Sequence, residues 1–283
     1  MTTEFSPFRW RHSRLAGVVA TARHTRLVRA LMVAANGLLD AASNARFDWD
    51  RNGERELLTR LAGQRVRVVF DVGACRGDWT ARALELMAPE VVHCFDVDPV
   101  QRRHVADRFR DDPRVVVADE GLLDDAGWVS FLRYPANPAL NSLVDVGQPI
   151  AYTAERGAVT TGDAYARAAG VDTVDLLKID VEGSDLRVLR GFDGLLRNGR
   201  VRVVQFEYTL AWVPSGALLN EAGTYLGERG YVVGRLFRDG VEFGDVVPTH
   251  ETFRGGNFVA VRRDDTALAR ALDATRGRHH RAG

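Results

Sequence analysis

The stretch Val68-Val69-Phe70-Asp71-Val72-Gly73-Ala74-Cys75-Arg76-Gly77-Asp78-Trp79 is an apolar run that ends on an acid, passes two glycines four positions apart and enters a helix-forming segment. A strand that feeds a helix through a glycine turn is the opening unit of a parallel α/β sheet. Glycine there permits positive φ and lets a ligand approach the backbone, while the helix start offers free N–H groups. The spacing is not the Gly-x-Gly-x-x-Gly of dinucleotide binders. Asp71 stands where a pyrophosphate would be repelled and an ammonium group welcomed.

Outward from this unit, short β-branched runs at 66–72, 91–96, 115–118, 174–181 and 201–207 alternate with helical stretches after Asp78, Pro99 and Ser184, the pattern of βαβ units. Two more runs, 231–237 and 257–262, are joined by a segment too poor in helix signals for another crossover. They predict an antiparallel hairpin at the C-terminal edge of a mostly parallel, Rossmann-like sheet. Residues 128–134 predict an extra strand, and the Pro/Asn/Gly-rich stretch 135–149 a functional loop.

Upstream, Leu15, Val18, Ala22, Leu27, Leu31, Ala35 and Leu38 recur at near-helical spacing, with Arg23, Arg26 and Arg29 between them. They predict one amphipathic helix over 13–43. Its apolar stripe suits packing on the main domain or on the mate of a homodimer; a substrate lid and a basic face toward a membrane are the alternatives. The expected division is an N-terminal helical extension over 1–60, a sheet domain over 61–263, and a short helix with a basic, disordered tail over 264–283.

A 283-residue chain with 46% hydrophobic residues, 27% charged residues and zero formal net charge has no global excess that would draw it to nucleic acid. Cys75 and Cys94 are too few for a disulfide scaffold or a Cys-rich zinc site, which fits a reducing, cytoplasmic compartment. The apolar run 15–22 falls far short of the roughly 18 residues of a membrane span. Lys178 is the only lysine in the chain.

Asp96 closes the second strand at about the distance where Rossmann-like folds set an acid on a ribose diol. Asp119 and Glu120 follow the third strand, where an adenine edge would lie. Acids on two successive strands with glycines between them suit a nucleoside that carries an amino acid rather than phosphates. Strand alternation sets Lys178 and Asp180 on one face. Asp180, Glu182 and Glu207 converge at the carboxyl edge of the sheet, where open α/β sheets bind ligands. Asp180 is the leading candidate for general base or acceptor anchor, with Glu207 second, Glu182 a helix-terminal structural acid and Lys178 an ion-pair partner of one of them. Carboxylates in one crevice also suit a divalent metal such as magnesium or calcium, and His250 is an alternative base.

Beside the Asp71 to Gly77 loop, the runs Leu177-Lys178-Ile179-Asp180-Val181-Glu182-Gly183-Ser184-Asp185, Val188-Leu189-Arg190-Gly191 and Val203-Val204-Gln205-Phe206-Glu207 stand out, with Asn141-Ser142-Leu143 and Asn257-Phe258. On these residues, over about 66–262, the chain resembles the FkbM family of methyltransferases. The resemblance implies a class I methyltransferase fold, S-adenosylmethionine as donor, and O-methylation of a sugar or natural-product hydroxyl on a small-molecule acceptor. With the residue reading above, the expected cofactor residues are Asp71, Gly73, Ala74, Gly77, Asp96, Val97, Asp119 and Glu120, and the expected acceptor residues are Asn141, Ser142 and His250. Two departures stand out: Cys75 where the family commonly has Asn, and Asp96-Val97 where it has Glu-Pro; the shorter acid is still expected to reach a ribose diol. The competing readings are a nicotinamide-dependent oxidoreductase, whose glycine spacing is missing, and a cofactor-binding protein without catalysis, which fold alone does not exclude.

Overall fold

The structure is a computed structural model and describes residues 14–45 and 48–274. It divides into two compact units, Met1–Ala45 and Arg46–Gly283. In the first, the single helix expected over 13–43 is two, α1 (Arg14–Thr21) and α2 (Arg26–Ala42). The break follows from Thr25, whose backbone is extended and whose hydroxyl accepts from the Val28 N–H, so that it starts a new helix instead of continuing the old one. The basic tail 276–283 lies outside the described residues, as does residue 13.

In the second unit, β1 (Val68–Val72), β2 (Val91–Phe95) and β3 (Val115–Val117) step outward in parallel. β4 (Gly121–Leu122), β5 (Gly127–Arg133) and β6 (Thr153–Thr160) then form a separate three-stranded sheet. β7 (Val174–Ile179) returns to the other side of β1 and is followed by β8 (Val201–Glu207), β9 (Tyr231–Phe237), β10 (Gly240–Phe243) and β11 (Asn257–Arg262). The main sheet runs β10-β9-β11-β8-β7-β1-β2-β3. It is an α/β, Rossmann-like, mostly parallel sheet whose direction of winding reverses between β1 and β7, the position at which such sheets open a ligand crevice.

The expected hairpin of 231–237 and 257–262 forms, but its second strand is interior: β11 is antiparallel to both β8 and β9. Phe258, Val259, Ala260 and Val261 are all buried, as in a strand whose two faces are both covered by packed layers. The edge is taken by β10, which the sequence reading does not foresee. The expected strand at 128–134 is β5; its partner β6 is likewise unforeseen.

Alternation sorts the strand residues into two cores. Val69, Leu176, Val203, Val259 and Val261 face α3 (Glu54–Ala62) and α4 (Asp78–Met87), whose Leu57, Leu58, Leu61, Ala83 and Met87 fill that side. Phe70, Leu177, Ile179, Val204 and Phe206 face the other way, onto a layer that includes Ala166, Leu186, Leu189 and Leu226. The sequence puts the end of the helical extension at 60, yet the compact units part at residue 45. The leucines of α3 are needed to cover the sheet, which draws that helix into the larger unit.

Candidate active site

The glycine loop between β1 and α4 is pinned from both flanks. Gly73 and Ala74 donate their N–H groups to the Phe95 carbonyl at 2.9 and 3.0 Å, and the Asp180 N–H donates to the Val72 carbonyl at 3.0 Å. Gly73 has φ +82°, and a Cβ there would collide with the Asp180 carbonyl, so both conformation and space require glycine. The result is a cavity at the carboxyl ends of β1, β2 and β7, lined by Gly73, Cys75, Asp96, Val97, Leu122 and Asp180 among others.

Asp96 is buried, with one carboxylate oxygen accepting from the Cys75 N–H and the other from the Asp98 N–H, each at 2.9 Å. Burial pushes its pKa up to about 6, the two backbone hydrogen bonds opposing that rise. Each oxygen keeps a further lone pair with which to accept a ribose hydroxyl. Behind it, Asp98 is fully buried, caps the helix α5 (Pro99–Arg108), takes the Arg133 guanidinium on both oxygens at 2.7 and 2.9 Å, and accepts from Asn141. This fork ties β5 and the loop after it to the floor of the cavity. Asp98 is legible in sequence only as the helix cap before Pro99.

The expected cofactor residues do not all reach this cavity. Asp71 is enclosed beneath it, accepting from the Thr80 hydroxyl at 2.6 Å and ion-paired with Lys178 at 3.2 Å. Ala74 is buried and Gly77 caps α4 in a left-handed conformation; neither lines the cavity. Asp119 is exposed and Glu120 half-buried, while the residues just after them, Gly121 and Leu122, are the ones that line it.

A row of polar side chains crosses the carboxyl ends of the central strands on the α3 face. Register puts Asp71 beside Lys178 and Lys178 beside Gln205. Lys178 is buried; its ammonium lies 3.2 Å from Asp71, 3.4 Å from Asp180 and 3.3 Å from the Gly73 carbonyl that it donates to. Burial works against its charge, but Asp71, Asp180 and Glu54 together raise its pKa above the ordinary value. Glu54, at the start of α3, accepts from Gln205 at 2.7 Å and from Asn52 at 2.6 Å, and Gln205 also donates to Asn257. Glu54 precedes the patterned part of the chain, and no local signal marks it.

Asp180, Glu182 and Glu207 offer carboxylate oxygens that all lie within 4.8 Å of one another. Glu207 is buried; its desolvation, then Asp180 and Glu182, raise its pKa well above the ordinary range. Glu182, held in the left-handed region at φ 48°, is raised to about 8 by burial and then by Asp180 and Asp185. One buried lysine thus faces several carboxyl groups, and burial without a counter-charge for each favours their neutral forms.

Glu182 also lines a second, larger cavity of about 630 Å³ with Tyr134, Ser142, Val144, Thr209, Phe253 and Arg254. Glu182 and Ala139 belong to both cavities, which therefore adjoin. Ser142 donates to the Glu182 carbonyl at 2.7 Å. Asn141 lines the first cavity rather than the second, its side chain engaged by Asp98 and the Tyr134 N–H. His250 is exposed, bonded to the Val247 N–H and apart from both cavities.

Among solved structures, a methyltransferase FkbM from Methylobacillus flagellatus KT is similar at 17% identity and TM-score 0.45, over 70% of this chain and 44% of that one. A precorrin-6y C5,15-methyltransferase from Geobacter metallireducens GS-15 is similar at 14% identity and TM-score 0.38, over 74% and 88%. TrmK of M. capricolum, in complex with S-adenosyl-homocysteine, is similar at 6% identity and TM-score 0.41, over 74% and 68%. This chain thus spans less than half the length of the M. flagellatus protein. No curated protein matches it. The family model described as the methyltransferase FkbM domain matches residues 71–233, more than half of the 283 residues, and covers the end of β1 with the glycine loop after it, the Asp180 turn and Glu207: the chain belongs to the FkbM methyltransferase family.

Proposed function

We propose that the chain methylates a hydroxyl group of a sugar or natural product at the junction of its two cavities, with S-adenosylmethionine in the smaller one and the acceptor in the larger. The single observation that carries this reading is that adjoining of the cavities at Glu182, with Asp180 lining the smaller beside it. When bound, the cofactor supplies a methyl group on a sulfonium, which the acceptor oxygen attacks in line. The fit rests on the Gly73 cradle, which a Cβ would fill, and on the paired oxygens of Asp96.

Most of the rate then comes from holding oxygen and carbon at about 3 Å, with proton removal adding roughly a hundredfold or more. Asp180 is the proposed base: its carboxylate is part-exposed at the crevice and steadied by Lys178 at 3.4 Å. Burial favours the neutral forms of Glu207 and Glu182 beside it, and Ser142 fixes the Glu182 backbone at the rim of the acceptor cavity. Calorimetric titration with S-adenosylhomocysteine tests the donor half; tight binding that Asp96→Ala removes is expected, and its absence in the wild type would end the reading. Asp180→Asn is expected to keep that affinity while methyl transfer to a panel of deoxysugars and glycosylated natural products falls at least about a hundredfold.

A second reading is favoured by the spacing of the three carboxylates within 4.8 Å. An all-oxygen donor set of this kind suits a magnesium or calcium ion that would orient the acceptor. Under that reading chelation lowers turnover and added magnesium restores it; turnover indifferent to chelator excludes it.

A further inference from the structure

Within the Met1–Ala45 unit, helix α2 buries Val28 and leaves the rest of its apolar side open. Leu27, Leu31 and Leu38 fall along one row of the helix and Met32 and Leu39 along the next, with exposures of 70%, 58%, 72%, 53% and 51%. The opposite row carries Arg26, Arg29, Asn36 and Asp40, and Arg23 and His24 precede the helix in its leading turn. Arg23, His24, Arg26 and Arg29 are exposed. An apolar face of this extent that its own unit leaves uncovered marks a surface that a partner covers.

Charge identifies the partner. From Phe5 to Leu39 the sequence has six arginines and no acid. A second copy would bring its own Arg23, Arg26 and Arg29 to the contact and offer Asp40 alone as the counter-charge from this helix. An anionic surface meets all of them. A helix of 17 residues rises about 25 Å, short of the roughly 30 Å of a bilayer core, and no helix among the described residues is long and apolar enough to cross a membrane. Lying flat is the geometry left: leucines below the head groups, arginines among the phosphates.

We propose that α2 is an in-plane anchor that docks the enzyme on the anionic phospholipid surface of a membrane. The leucine rows enter the acyl boundary, and Arg23, Arg26 and Arg29 engage the head groups. Each arginine near such a surface strengthens binding roughly fivefold at low salt, and each buried leucine by about tenfold or more.

The test is co-sedimentation of the full 283-residue chain with vesicles of equal parts phosphatidylglycerol and phosphatidylcholine, against vesicles of phosphatidylcholine alone. Binding to the anionic vesicles is expected to exceed that to the neutral ones by about a hundredfold for the three arginines, and to fall as salt is raised. Leu31→Glu and Leu38→Glu should each weaken it by about tenfold or more, and Arg26→Glu with Arg29→Glu should erase the preference for anionic lipid. Unchanged melting temperature and unchanged S-adenosylhomocysteine affinity establish that these variants remain folded. No partition into anionic vesicles, or equal partition into both kinds, overturns the proposal. So does a dimer that Leu31→Glu dissociates without lipid, or a melting temperature that the leucine variants lower, since a second copy or the chain itself would then cover the face.

Discussion

Lys178 neutralises Asp71, which is fully enclosed, and holds Asp180 and the Gly73 carbonyl with the same ammonium group. Arginine's planar fork could not sit at the centre of three such close oxygens, which explains a lysine in a chain that otherwise uses arginine. Lys178→Met is expected to lower stability by about 3–5 kcal/mol in chemical denaturation, because it strands the Asp71 charge in the core. Titration gives a second residue-scale expectation. Burial, then Asp180 and Asp185, lift Glu182 from 4.5 to about 8, and burial, then Asp180, lifts Asp185 from 3.8 to about 7. A carboxyl group with a higher pKa folded than unfolded binds its proton more tightly in the folded chain, so stability is greatest below the unfolded value and declines as pH rises toward the folded one. Without ligand, the melting temperature should therefore fall between about pH 5 and 8, and Glu182→Gln should recover about 1–3 kcal/mol at the upper end. A flat profile in the wild type would contradict it.

At the scale of elements, α3 is the informative case. It precedes the residues that the family model matches, yet Leu57, Leu58 and Leu61 are buried in the core over β1, β7 and β8. Its entry turn is shaped to fit: Gly53 has φ +97°, and a Cβ there would run into the Phe237 carbonyl. This turn sets Glu54 against Gln205 and so joins the helix to the polar row at the site. Leu58→Ala should cost about 3 kcal/mol of unfolding free energy, the range for a large-to-small change at a sealed position. The same deletion in an unattached extension would leave the main transition unmoved, so the melting temperature decides between the two. Local pattern could not single out α3: a short helix whose burial depends on strands beyond it has no long periodic run to announce it.

For the whole molecule, residues 48–274 include every strand of the main sheet and lie in the larger compact unit. We expect that fragment to fold cooperatively and to bind S-adenosylhomocysteine within about twofold of the full chain, since a unit with its own core needs no extension. Calorimetry on the fragment checks both, and loss of binding would place part of the donor site in residues 1–45.

The sequence by itself determined the parallel sheet, its glycine loop, the family and the convergence of Asp180, Glu182 and Glu207. Each of these depends on strand alternation or on spacing within a turn, which contiguous residues carry. Only the tertiary structure decided that β11 slots between β8 and β9, that Asp71 lies under the cradle with Lys178 rather than in it, and that Asp119, Glu120 and His250 stand apart from the cavities. Glu54 and the Asp98 fork to Arg133 and Asn141 belong to the same group. These depend on which strand becomes a neighbour and which distant side chain meets a buried charge. Such pairings are set by the cost of enclosing a polar group without a partner, and residues far apart in the chain relieve that cost only once the sheet has closed.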